Sequence, residues 1–432
     1  MRILLITQYW APENGVPQRR WSWLTQILEK AGHEVLVVAP PPHYLRKVGI
    51  LEWFRQHGYR SYVENQTGVP ERRILRTGYL PGGSSITQKA INQMAVAVGG
   101  ILAILKPDGV VDRFRPNLVI GTVPALPTAF VAAVASNRFN IPYIIDLRDA
   151  WPELLTEAER WNLATGAPSF RQRLMMKGPL QLAVRITDVS LKRLLKGATA
   201  VISTSANLAK DLERNGHCPP RVWTIRNVFP METPVLVRAI DREPSTSLNV
   251  LYAGTLGRAQ NLANALKAAQ IASKEGTTVR LRFVGAGAAR DELMEVAEDL
   301  GVSATFERHR DASLLTQCYQ WADTALVHLT DWSPLTSAVP SKTYELMNQG
   351  IHISGVVAGE TAEIIENYGA GDVVPPEDPG ALAKLWNGLA HNRARLDVGD
   401  EGARWVEEQR AAHAPNALLD CIQWVADNRN EN

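Results

Sequence analysis

The sequence predicts an α/β protein made of two doubly wound domains, each a parallel sheet covered by helices. Its 432 residues are too many for one ordinary hydrophobic core, so at least two domains are expected. Short apolar, β-branched runs alternate with longer helical patterns along the chain. This alternation breaks in a segment rich in proline, serine and charge, and then starts again. Two successive strand–helix series predict two sheets, with a ligand site at the carboxyl ends of their strands.

The predicted strands form one series on each side of the break. They are apolar throughout rather than alternating, which is typical of parallel strands buried on both faces. We predict a first domain over residues 1–228, a linker over 229–247, a second domain over 248–401, and a C-terminal helix over 402–432 that returns to the first domain. The strand-like runs are RILLIT, VLVVAP, NLVIGT, YIIDLR and AVIST, followed by LNVLYAGT, VRLRFVGAG, TALVHLT and IHISGVV.

Composition and charge argue against several classes of protein. The net charge of +2 gives no indication of a nucleic-acid partner. Cys218, Cys318 and Cys421 are widely spaced and form neither a CxxC pair nor an even disulfide framework, which indicates a reducing compartment. The opening apolar run is too short for a signal peptide, so we expect a cytoplasmic protein.

Three segments bear on membrane contact. The apolar stretches at residues 94–105 and 119–135 fall short of the roughly 20 continuous apolar residues that cross a bilayer. We interpret the first as a buried helix and the second as strand, loop and helix. The segment Phe170–Ala198 carries seven Lys and Arg against one acidic residue, with apolar residues between them. It is either a basic helix packed on its own domain or an interfacial face for anionic lipid.

Glycine-containing loops follow predicted strands in both halves of the chain. Gly15 precedes a helix after the first strand, whereas Gly254, Gly257 and then Arg258 follow the first strand of the second domain. Backbone N–H groups at such helix starts bind anions. A third loop, FVGAGAARDEL, lacks the last glycine of GxGxxG and is weak evidence for a dinucleotide. Each loop alone could be a tight turn, but together they favour a phosphorylated or nucleotide ligand.

Charged residues gather after the strand YIIDLR, whereas several known catalytic signatures are missing. The sequence has no P-loop, zinc-protease or α/β-hydrolase motif, and no clustered Cys/His set that predicts a metal. Asp146, Arg148 and Asp149 lie at the carboxyl end of this strand, where site residues gather in such folds. The alternative is a charge network that caps the next helix.

A helix predicted in VPSKTYELMNQG carries a lysine and a glutamate on one face. Lys342 and Glu345 are three residues apart, and the helix dipole disfavours a cation at this end. Ser341 is the predicted N-cap and Gly350 the C-terminal stop. The pair is either a solvated ion pair or part of a binding site.

Taken together and in order, the segments resemble the GT-B retaining glycosyltransferases of family 4. The likeness covers nearly the whole chain. It is nearest to bacterial enzymes that build O-antigen, capsule and similar cell-envelope glycans, including FucNAc-type amino-deoxyhexose transferases. The segments that carry it are QYWAPENGVPQRRW, AGHEVLVVAPPPHY, DLRDAWPELL, YAGTLGRAQNL, FVGAGAARDELMEVAEDLGV, VPSKTYELMNQG and GETAEIIENYGAGDVVPPEDPGALAKL.

The resemblance implies two Rossmann-like domains facing across a cleft, the donor nucleotide on the C-terminal one, and no metal. Lys342 and Arg258 would lie against the donor diphosphate and stabilise charge on the leaving nucleotide. Glu345 would accept hydrogen bonds from ribose hydroxyls, and Glu360 would lie near the donor. UDP is the default nucleotide that the resemblance implies. The donor-side glycines are Gly15, Gly254 and Gly257.

The resemblance places the acceptor on the N-terminal domain. It adds Arg20 and His43 to Arg148 and Asp149 on that side. The implied acceptor is a glycan or a lipid-linked sugar. With a lipid-linked sugar, this cytoplasmic protein would lie at the inner face of the cytoplasmic membrane. The implied catalytic residues are Asp149, Arg258 and Lys342.

Some positions depart from the family pattern. Thr255 and Gln260 stand where many relatives have arginine and lysine, so the diphosphate must be neutralised by the two cations named above. Ser337 stands in place of the first glutamate of E-x7-E, whose second is Glu345. This argues against a carboxylate nucleophile and favours front-face attack assisted by the donor phosphate. Residues 307–310 replace a glycine-valine element near the catalytic base, which leaves the base unassigned.

Other classes remain open on sequence alone. A sugar-nucleotide 2-epimerase shares the two-domain architecture but needs more carboxylates and histidines in its site. A nucleotide-sugar sensor or partner subunit would explain the missing E-x7-E carboxylate. A dehydrogenase is disfavoured because GAGAAR lacks both the third glycine and a ribose-binding acid at the expected distance.

Overall fold

The computed structural model divides the chain into two compact units. The first comprises the described residues within 1–156, 170–229 and 412–432, and the second those within 230–411. The residues described are 1–13, 15–43, 48–56, 58–66, 72–81, 86–123, 125–150, 179–216, 221–231, 233–235, 242–308 and 312–428. Predictions for residues 170–178, Cys218, His309 and Arg310 lie outside them.

An eight-stranded sheet forms the centre of the first unit. Its strands are β1 (Arg2–Ile6), β2 (Glu34–Ala39), β3 (Tyr62–Gln66), β4 (Arg72–Arg76), β5 (Leu118–Val123), β6 (Tyr143–Leu147), β7 (Ala200–Ser203) and β8 (Val222–Thr224). Their order is β3-β4-β2-β1-β5-β6-β7-β8, and all neighbours are parallel except β3 and β4. The described helices are α1 (Val16–Lys30), α2 (Ile50–Gln56), α3 (Ile86–Leu105), α4 (Val110–Phe114), α5 (Pro127–Phe139), α6 (Pro179–Gly197) and α7 (Ala206–Arg214).

The central strands of this sheet are buried on both faces, as their continuous apolar runs predict. Every residue of β5 and β6 is buried. The two strands β3 and β4 were missed because their sequences, YVENQ and RRILR, are mostly polar or charged. Arg76 of β4 is nevertheless buried, because Glu64 of β3 accepts a hydrogen bond from its Nε at 2.7 Å.

A six-stranded, fully parallel sheet forms the centre of the second unit. Its strands are β9 (Ser247–Ala253), β10 (Thr278–Val284), β11 (Ala304–Glu307), β12 (Thr324–His328), β13 (His352–Val356) and β14 (Gly371–Val374), in the order β11-β10-β9-β12-β13-β14. The helices are α8 (Ala263–Lys274), α9 (Arg290–Asp299), α10 (Ala312–Trp321), α11 (Ser341–Asn348), α12 (Glu360–Asn367), α13 (Pro379–His391) and α14 (Glu401–Glu408).

These two sheets confirm the prediction of two doubly wound α/β domains. In the first sheet the strand order reverses beside β1, which lies between β2 and β5. In the second it reverses beside β9, which lies between β10 and β12. Ligands of such folds bind outside the carboxyl ends of the strands at this reversal. The predicted glycine loops at Gly15 and at Gly254 follow these two strands.

The long apolar helix α3 differs from its prediction as a buried helix. One face is buried, with Val96 at 4% and Ile104 at 0% exposure, but the opposite face is open to solvent. Within the described residues, Gln88–Leu105 is the stretch whose length and composition would allow it to cross a membrane, and a third of it (33%) is buried. By contrast, residues 119–135 form strand, loop and helix as predicted, in β5 and α5.

Within the described residues, the chain passes between the two units twice. It leaves the first unit between Phe229 and Pro230 and returns to it between Ala411 and Ala412. The predicted helix over 402–432 is therefore divided: α14 belongs to the second unit and α15 (Ala414–Asp427) to the first, with a π-helical segment over residues 409–413 between them. Pro415 in the first turn of α15 is the sequence signal for this new helix start, and the prediction of one continuous helix overlooked it.

We expect the stability of the second unit to depend on Asp372 at neutral pH. Its carboxylate accepts hydrogen bonds from His352 Nε2 at 3.0 Å and Arg395 Nη2 at 2.7 Å, and the His352 bond is the main reason that its pKa is lowered. A lowered pKa means that the stabilisation is complete above the unfolded-state value of about 3.9 and is lost as the pH falls through the folded-state value.

Asp372→Asn should lower the free energy of unfolding at pH 7 by about 1 kcal/mol, because the group is partly exposed. The deficit should shrink as the pH falls below about 4, because the stabilisation is lost below the unfolded-state carboxyl pKa. Thermal unfolding followed across this range checks it, with the exposed Asp397→Asn as the matched control. A deficit that is constant with pH would contradict the assignment.

Candidate functional site

Four loops meet at the carboxyl edge of the second sheet. They follow β9, β12, β13 and β14, which are consecutive in the sheet. The backbone N–H of Thr330 donates to Ala259 O at 2.9 Å, and the hydroxyl of Thr361 donates to Ala338 O at 2.7 Å. The predicted donor-side residues of this unit, Gly254 to Arg258, Lys342 and Glu360, all lie in these loops or in the helix starts next to them.

The glycines of the FVGAGA loop are required by backbone packing. A Cβ on Gly285 would lie 1.8 Å from Gly254 O, and one on Gly287 would lie 2.0 Å from Leu256 O. The loop therefore supports the Gly254–Gly257 loop from behind, which explains a glycine pattern that is not a dinucleotide fingerprint. Arg258 follows Gly257 as the first residue of a 3₁₀ turn and is partly exposed.

The helix α11 begins one residue earlier than predicted. Pro340 occupies the N-cap position and Ser341 is the first helical residue, so the prediction of Ser341 as N-cap is wrong. Gly350 ends the helix as predicted, with a φ of +60°. The N–H of Gly350 donates to Met347 O, and that of Ile351 to Leu346 O, both at 3.1 Å, which is a Schellman motif.

Lys342 and Glu345 are paired, and a buried tyrosine completes the arrangement. Lys342 Nζ donates to Glu345 Oε2 at 2.9 Å and to Tyr319 Oη at 3.1 Å, while the Tyr319 hydroxyl donates to Glu345 Oε1 at 2.6 Å. Lys342 is 31% exposed and Tyr319 is fully buried. The pair is therefore held from the protein side by Tyr319 of α10, a residue that sequence reasoning missed. An ammonium has three N–H groups, so these two bonds leave one for a ligand.

Glu360 opens α12 directly after a strained glycine. Gly359 has a φ of +67°, and a Cβ there would lie 2.1 Å from Thr336 O. Glu360 is 3% exposed at the first position of the helix, where the dipole favours an acidic side chain. Its location at the same edge as Lys342 fits the predicted donor-side grouping, although its carboxylate lies mostly inside the unit.

A second polar cluster at this edge was missed as well. Glu377 has a φ of +61° and accepts a hydrogen bond from the Thr330 hydroxyl at 2.7 Å, which lowers the pKa of its carboxyl group. His328, at the end of β12, contacts Asn264 Nδ2 at 3.0 Å. Burial lowers the pKa of His328 to about 4, so the imidazole is neutral at physiological pH.

In the first unit, Arg20 lies inside the protein rather than at a surface. Its side chain is 0% exposed, and Nη2 donates to Asp146 Oδ1 at 2.8 Å. Nη1 donates to the carbonyl of Ile225 at 2.8 Å, and Asp146 Oδ2 accepts from Trp21 Nε1 at 2.7 Å. Arg20 therefore does not reach an acceptor directly, and the predicted acceptor-side role would require it to act through this buried network. The network joins α1 to the ends of β6 and β8.

Arg148 and Asp149 extend beyond the end of β6. Asp149 is exposed, and Arg148 is partly buried. Nε and Nη1 of Arg148 are buried, yet neither donates a hydrogen bond to any residue that the structure describes. Burial lowers the pKa of Arg148 to about 10, against the opposing effect of Asp146, so the guanidinium stays charged at neutral pH. Two buried guanidinium nitrogens without a described partner favour an anionic ligand there, because an anion would accept their hydrogen bonds.

Gly15 and His43 lie after β1 and β2 at the carboxyl edge of the first sheet. Gly15 is the N-cap of α1 and has an extended backbone. The ring nitrogens of His43 lie 2.9 Å from Pro41 O and 3.0 Å from Asn92 Oδ1, so both are already engaged. His43 therefore contributes mainly to the position of its loop.

The segment at Glu307 is structural where it is described. Glu307 ends β11 and accepts a hydrogen bond from Arg282 Nε at 2.6 Å, on the neighbouring strand. Within the described residues, no group of three or more His, Cys, Asp or Glu side chains is placed to hold a metal ion.

We expect the Arg20–Asp146 pair to be essential for the stability of the first unit. Asp146→Asn removes the charge that balances a fully buried guanidinium, which typically costs about 3–5 kcal/mol. Urea unfolding measures the change. The control Asp400→Asn removes an exposed pair with Arg404 and should cost under about 1 kcal/mol. Equal costs for the two variants would contradict the buried-network interpretation.

Two family models together match most of the chain. Residues 15–227 match the model described as "Glycosyl transferase 4-like domain", and residues 237–410 match "Glycosyl transferases group 1". A comparison with curated protein sequences returned no match.

Several solved structures share the fold at low sequence identity. Sucrose-phosphate synthase from Thermosynechococcus elongatus is 16% identical, with a TM-score of 0.65 over 99% of this chain and 98% of that one. HepE from Anabaena, solved with UDP and glucose, is 16% identical, with a TM-score of 0.61 over 99% and 100%.

A third structure, a TarM variant from S. aureus, was solved with Fondaparinux, alpha-GlcNAc-glycerol and UDP. It is 11% identical to this chain, with a TM-score of 0.58 over 98% of this chain and 99% of that one. At these identities the likeness establishes the fold, and the two family models establish the class of enzyme. The chain thus belongs to the glycosyltransferases of GT-B fold, with a glycosyl transferase 4-like domain followed by a group 1 domain.

Proposed function

We propose that this glycosyltransferase moves a sugar, with retention of configuration, from a UDP-sugar to a lipid-linked sugar acceptor in cell-envelope glycan synthesis. The observation that carries the proposal is the Tyr319–Lys342–Glu345 arrangement at the carboxyl edge of the second sheet. It sets a cation and a carboxylate side by side, and a nucleoside diphosphate needs one for its phosphates and the other for its ribose hydroxyls. HepE and TarM were both solved with UDP, which supports the choice of nucleotide.

The proposed donor site uses charge from two loops. Arg258 at the start of its 3₁₀ turn and Lys342 at the start of α11 would neutralise the diphosphate, and the backbone at Gly254 and Gly257 would admit it closely. As the bond from the anomeric carbon to the phosphate oxygen breaks, negative charge grows on the leaving nucleotide. Fixed cations stabilise that charge more than they stabilise the intact donor, and this difference lowers the barrier.

The acceptor hydroxyl would attack the same face of the sugar that the nucleotide leaves. Its oxygen forms the new bond to the anomeric carbon, and its proton passes to an oxygen of the departing phosphate. This route needs no carboxylate nucleophile. It is consistent with Ser337, which is 6% exposed in the 3₁₀ turn before α11 and stands where a glutamate is common.

The acceptor would be held in the first unit. Arg148 offers two buried nitrogens, Nε and Nη1, that the described residues leave without partners, and a lipid-linked sugar carries a phosphate that can accept their hydrogen bonds. Asp149 is exposed beside Arg148 and would orient the attacking hydroxyl. The protein would then work in the cytoplasm, at the inner face of the membrane where such an acceptor is available.

Incubation with a panel of nucleotide sugars tests the proposal directly. Release of UDP with transfer or slow hydrolysis supports it, and addition of EDTA should leave the rate unchanged because the cations are supplied by the protein. Isomerisation of the donor without release of UDP would indicate the epimerase instead. Binding without any turnover, with or without a membrane extract as the acceptor source, would indicate a sensor.

The donor site predicts a selective effect of Lys342 on binding of the diphosphate. Lys342→Ala should raise the Kd of UDP by roughly ten- to a hundredfold, since a hydrogen bond to a charged group contributes about 1.5–3 kcal/mol. The Kd of uridine should change little. Calorimetric titration of both ligands measures this, with the exposed Lys384→Ala on α13 as the matched control. If Lys342→Ala binds UDP as tightly as the parent, the pair is a surface salt bridge and the donor site is elsewhere.

Titration of the Glu345→Gln variant with the same two ligands tests the contact with the ribose. The amide keeps one acceptor oxygen but loses the charge that strengthens hydrogen bonds from the ribose hydroxyls. We therefore expect weaker binding of UDP and uridine alike, in contrast to the selective loss in Lys342→Ala. A selective loss of UDP in both variants would mean that the carboxylate acts only by positioning Lys342.

A further prediction concerns Asp149. Asp149→Asn should lower kcat at least about tenfold while the Kd of UDP stays near the parent value, because orientation of the acceptor matters only in the reaction. The exposed Asp108→Asn, also in the first unit, is the matched control. If Asp149→Asn loses thermal stability in proportion to activity, the residue caps the following segment and has no role in the reaction.

A further inference from the structure

An apolar surface on two adjacent helices of the first unit lies open to solvent. We define the α2–α3 face by its exposed side chains, which are Ile50, Leu51 and Phe54 of α2 and Ile91, Met94, Val98, Leu102 and Leu105 of α3. These eight are more than half of the large apolar side chains that are exposed in the described chain. Monomeric soluble proteins rarely expose a contiguous apolar patch of this extent, and where they do it usually marks a docking surface.

The two helices form one surface because they are packed together. Trp53 of α2 and Val96 of α3 lie in the same buried cluster with Tyr79. Trp53 Nε1 donates to Tyr79 O at 2.9 Å, which ties α2 to the segment after β4. The exposed residues of α3 recur every three or four positions, so they form a single stripe along the helix.

The charges around the α2–α3 face have one dominant sign. Within α3 the charged residue is Lys89, and Lys106 follows the end of the helix; both are exposed. The two lysines are separated by roughly 25 Å along the helix axis. Nearby, α6 packs on α5 and α5 on α3. The exposed side chains of α6 include Arg185, Ile186, Val189, Arg193 and Lys196.

Acidic residues also lie on these segments, but the exposed charge remains mainly positive. Glu52 of α2 accepts a hydrogen bond from Gln56 at 2.8 Å, and Asp188 of α6 is paired with Lys192 at 2.9 Å. Asp108 is exposed beyond the end of α3. The long stripe itself carries no acid within Ile86–Leu105.

We infer that the α2–α3 face is an interfacial surface that lies flat on an anionic phospholipid bilayer. By the rotation of about 100° per residue, Lys89 projects from the side of α3 opposite the stripe, so the stripe itself is uncharged. An uncovered apolar stripe with basic residues on the neighbouring helix α6 is the composition of a surface that lies in the plane of the interface, where the cations reach the headgroups. The cations of α6 add electrostatic attraction to the same side. The cavity beneath α3, lined by Thr7, Thr77 and Thr128 among others, measures about 10 Å³. That is room for one water at most, so lipid contacts the outside of the helix and does not enter the unit.

This inference places the apolar membrane contact outside Phe170–Ala198, the segment that the sequence left open as either a packed basic helix or an interfacial face. Within the described residues, α6 covers nearly all of that segment. In the structure, α6 buries Leu191 and Leu195 against its own unit, whereas α3 leaves its stripe uncovered. The basic helix therefore supplies attraction, and α3 with α2 supplies the apolar contact. The inference stands apart from sugar transfer, because lipid binding needs no substrate.

Vesicle co-sedimentation of the full chain tests it. The parent should bind vesicles that contain phosphatidylglycerol, and bind pure phosphatidylcholine more weakly. Val98→Gln with Leu102→Gln should weaken binding to both kinds of vesicle by roughly tenfold or more, because two apolar side chains no longer leave water. Leu51→Gln with Phe54→Gln is a second variant on the other helix, with the same expected direction. The matched control is Val235→Gln with Met294→Gln, two exposed apolar residues of the second unit.

Further variants and measurements distinguish lipid from other partners of the α2–α3 face. Arg193→Gln with Lys196→Gln should reduce binding at low salt and little at high salt, since it removes only the screened attraction. If that variant alone abolishes binding while Val98→Gln with Leu102→Gln binds like the parent, the contact belongs to α6 and the inference fails. It also fails if the parent ignores vesicles, or if sedimentation velocity shows a dimer that the α3 variant dissociates.

Discussion

The carboxyl edge of the second sheet is held together by backbone contacts that are too close for any residue with a Cβ atom. Gly285 and Gly287 press against the loop that follows β9, and Gly359 presses against the turn that precedes α11. Gly359 also needs a positive φ that other residues adopt at a cost. The cation at Arg258, the pair at Lys342 and the acid at Glu360 are each within a few residues of one of these contacts. The spacing of the charged groups therefore depends on glycines that touch no ligand.

The first unit contains a charged side chain, Arg20, that has no access to water. Arg20 donates to one carboxylate and to main-chain oxygens, and every one of those partners belongs to a strand end or to the segment after β8. A buried guanidinium of this kind tolerates little displacement, since each lost bond leaves a polar group without solvent. It therefore fixes where α1 begins relative to β6, and with that the distance between Gly15 and Arg148. Arg148 differs from Arg20 in that both its Nε and its Nη1 lack a partner among the described residues, whereas Arg20 lacks one only at Nε.

Local patterns predicted the central strands, the two glycine loops at the reversals of strand order, and the Lys342–Glu345 helix. Each of these depends on residues within a few positions of one another. Tyr319 could not be found in this way, because it reaches Glu345 from a separate helix, and neither could Glu377, whose partners follow other strands. The error about α3 has a related cause. A helix that is apolar on all sides shows no periodicity to tell which side the protein covers, so only the packed structure reveals the open stripe.

The second unit is an insertion within the first, since the chain leaves the first unit after Phe229 and returns at Ala412. The returning helix α15 covers the last strand of the first sheet, where Trp424 contacts Trp223 with ring centroids 5.3 Å apart. During synthesis the ribosome releases residues in order, and domains generally fold as they emerge. The second unit can therefore fold while β8 and Trp223 of the first unit are still uncovered, because α15 has not yet been made. The first unit contains the first residues to be made but is the last unit to be completed. A chain that ended just before residue 414 would therefore carry a complete group 1 domain and an incomplete first unit.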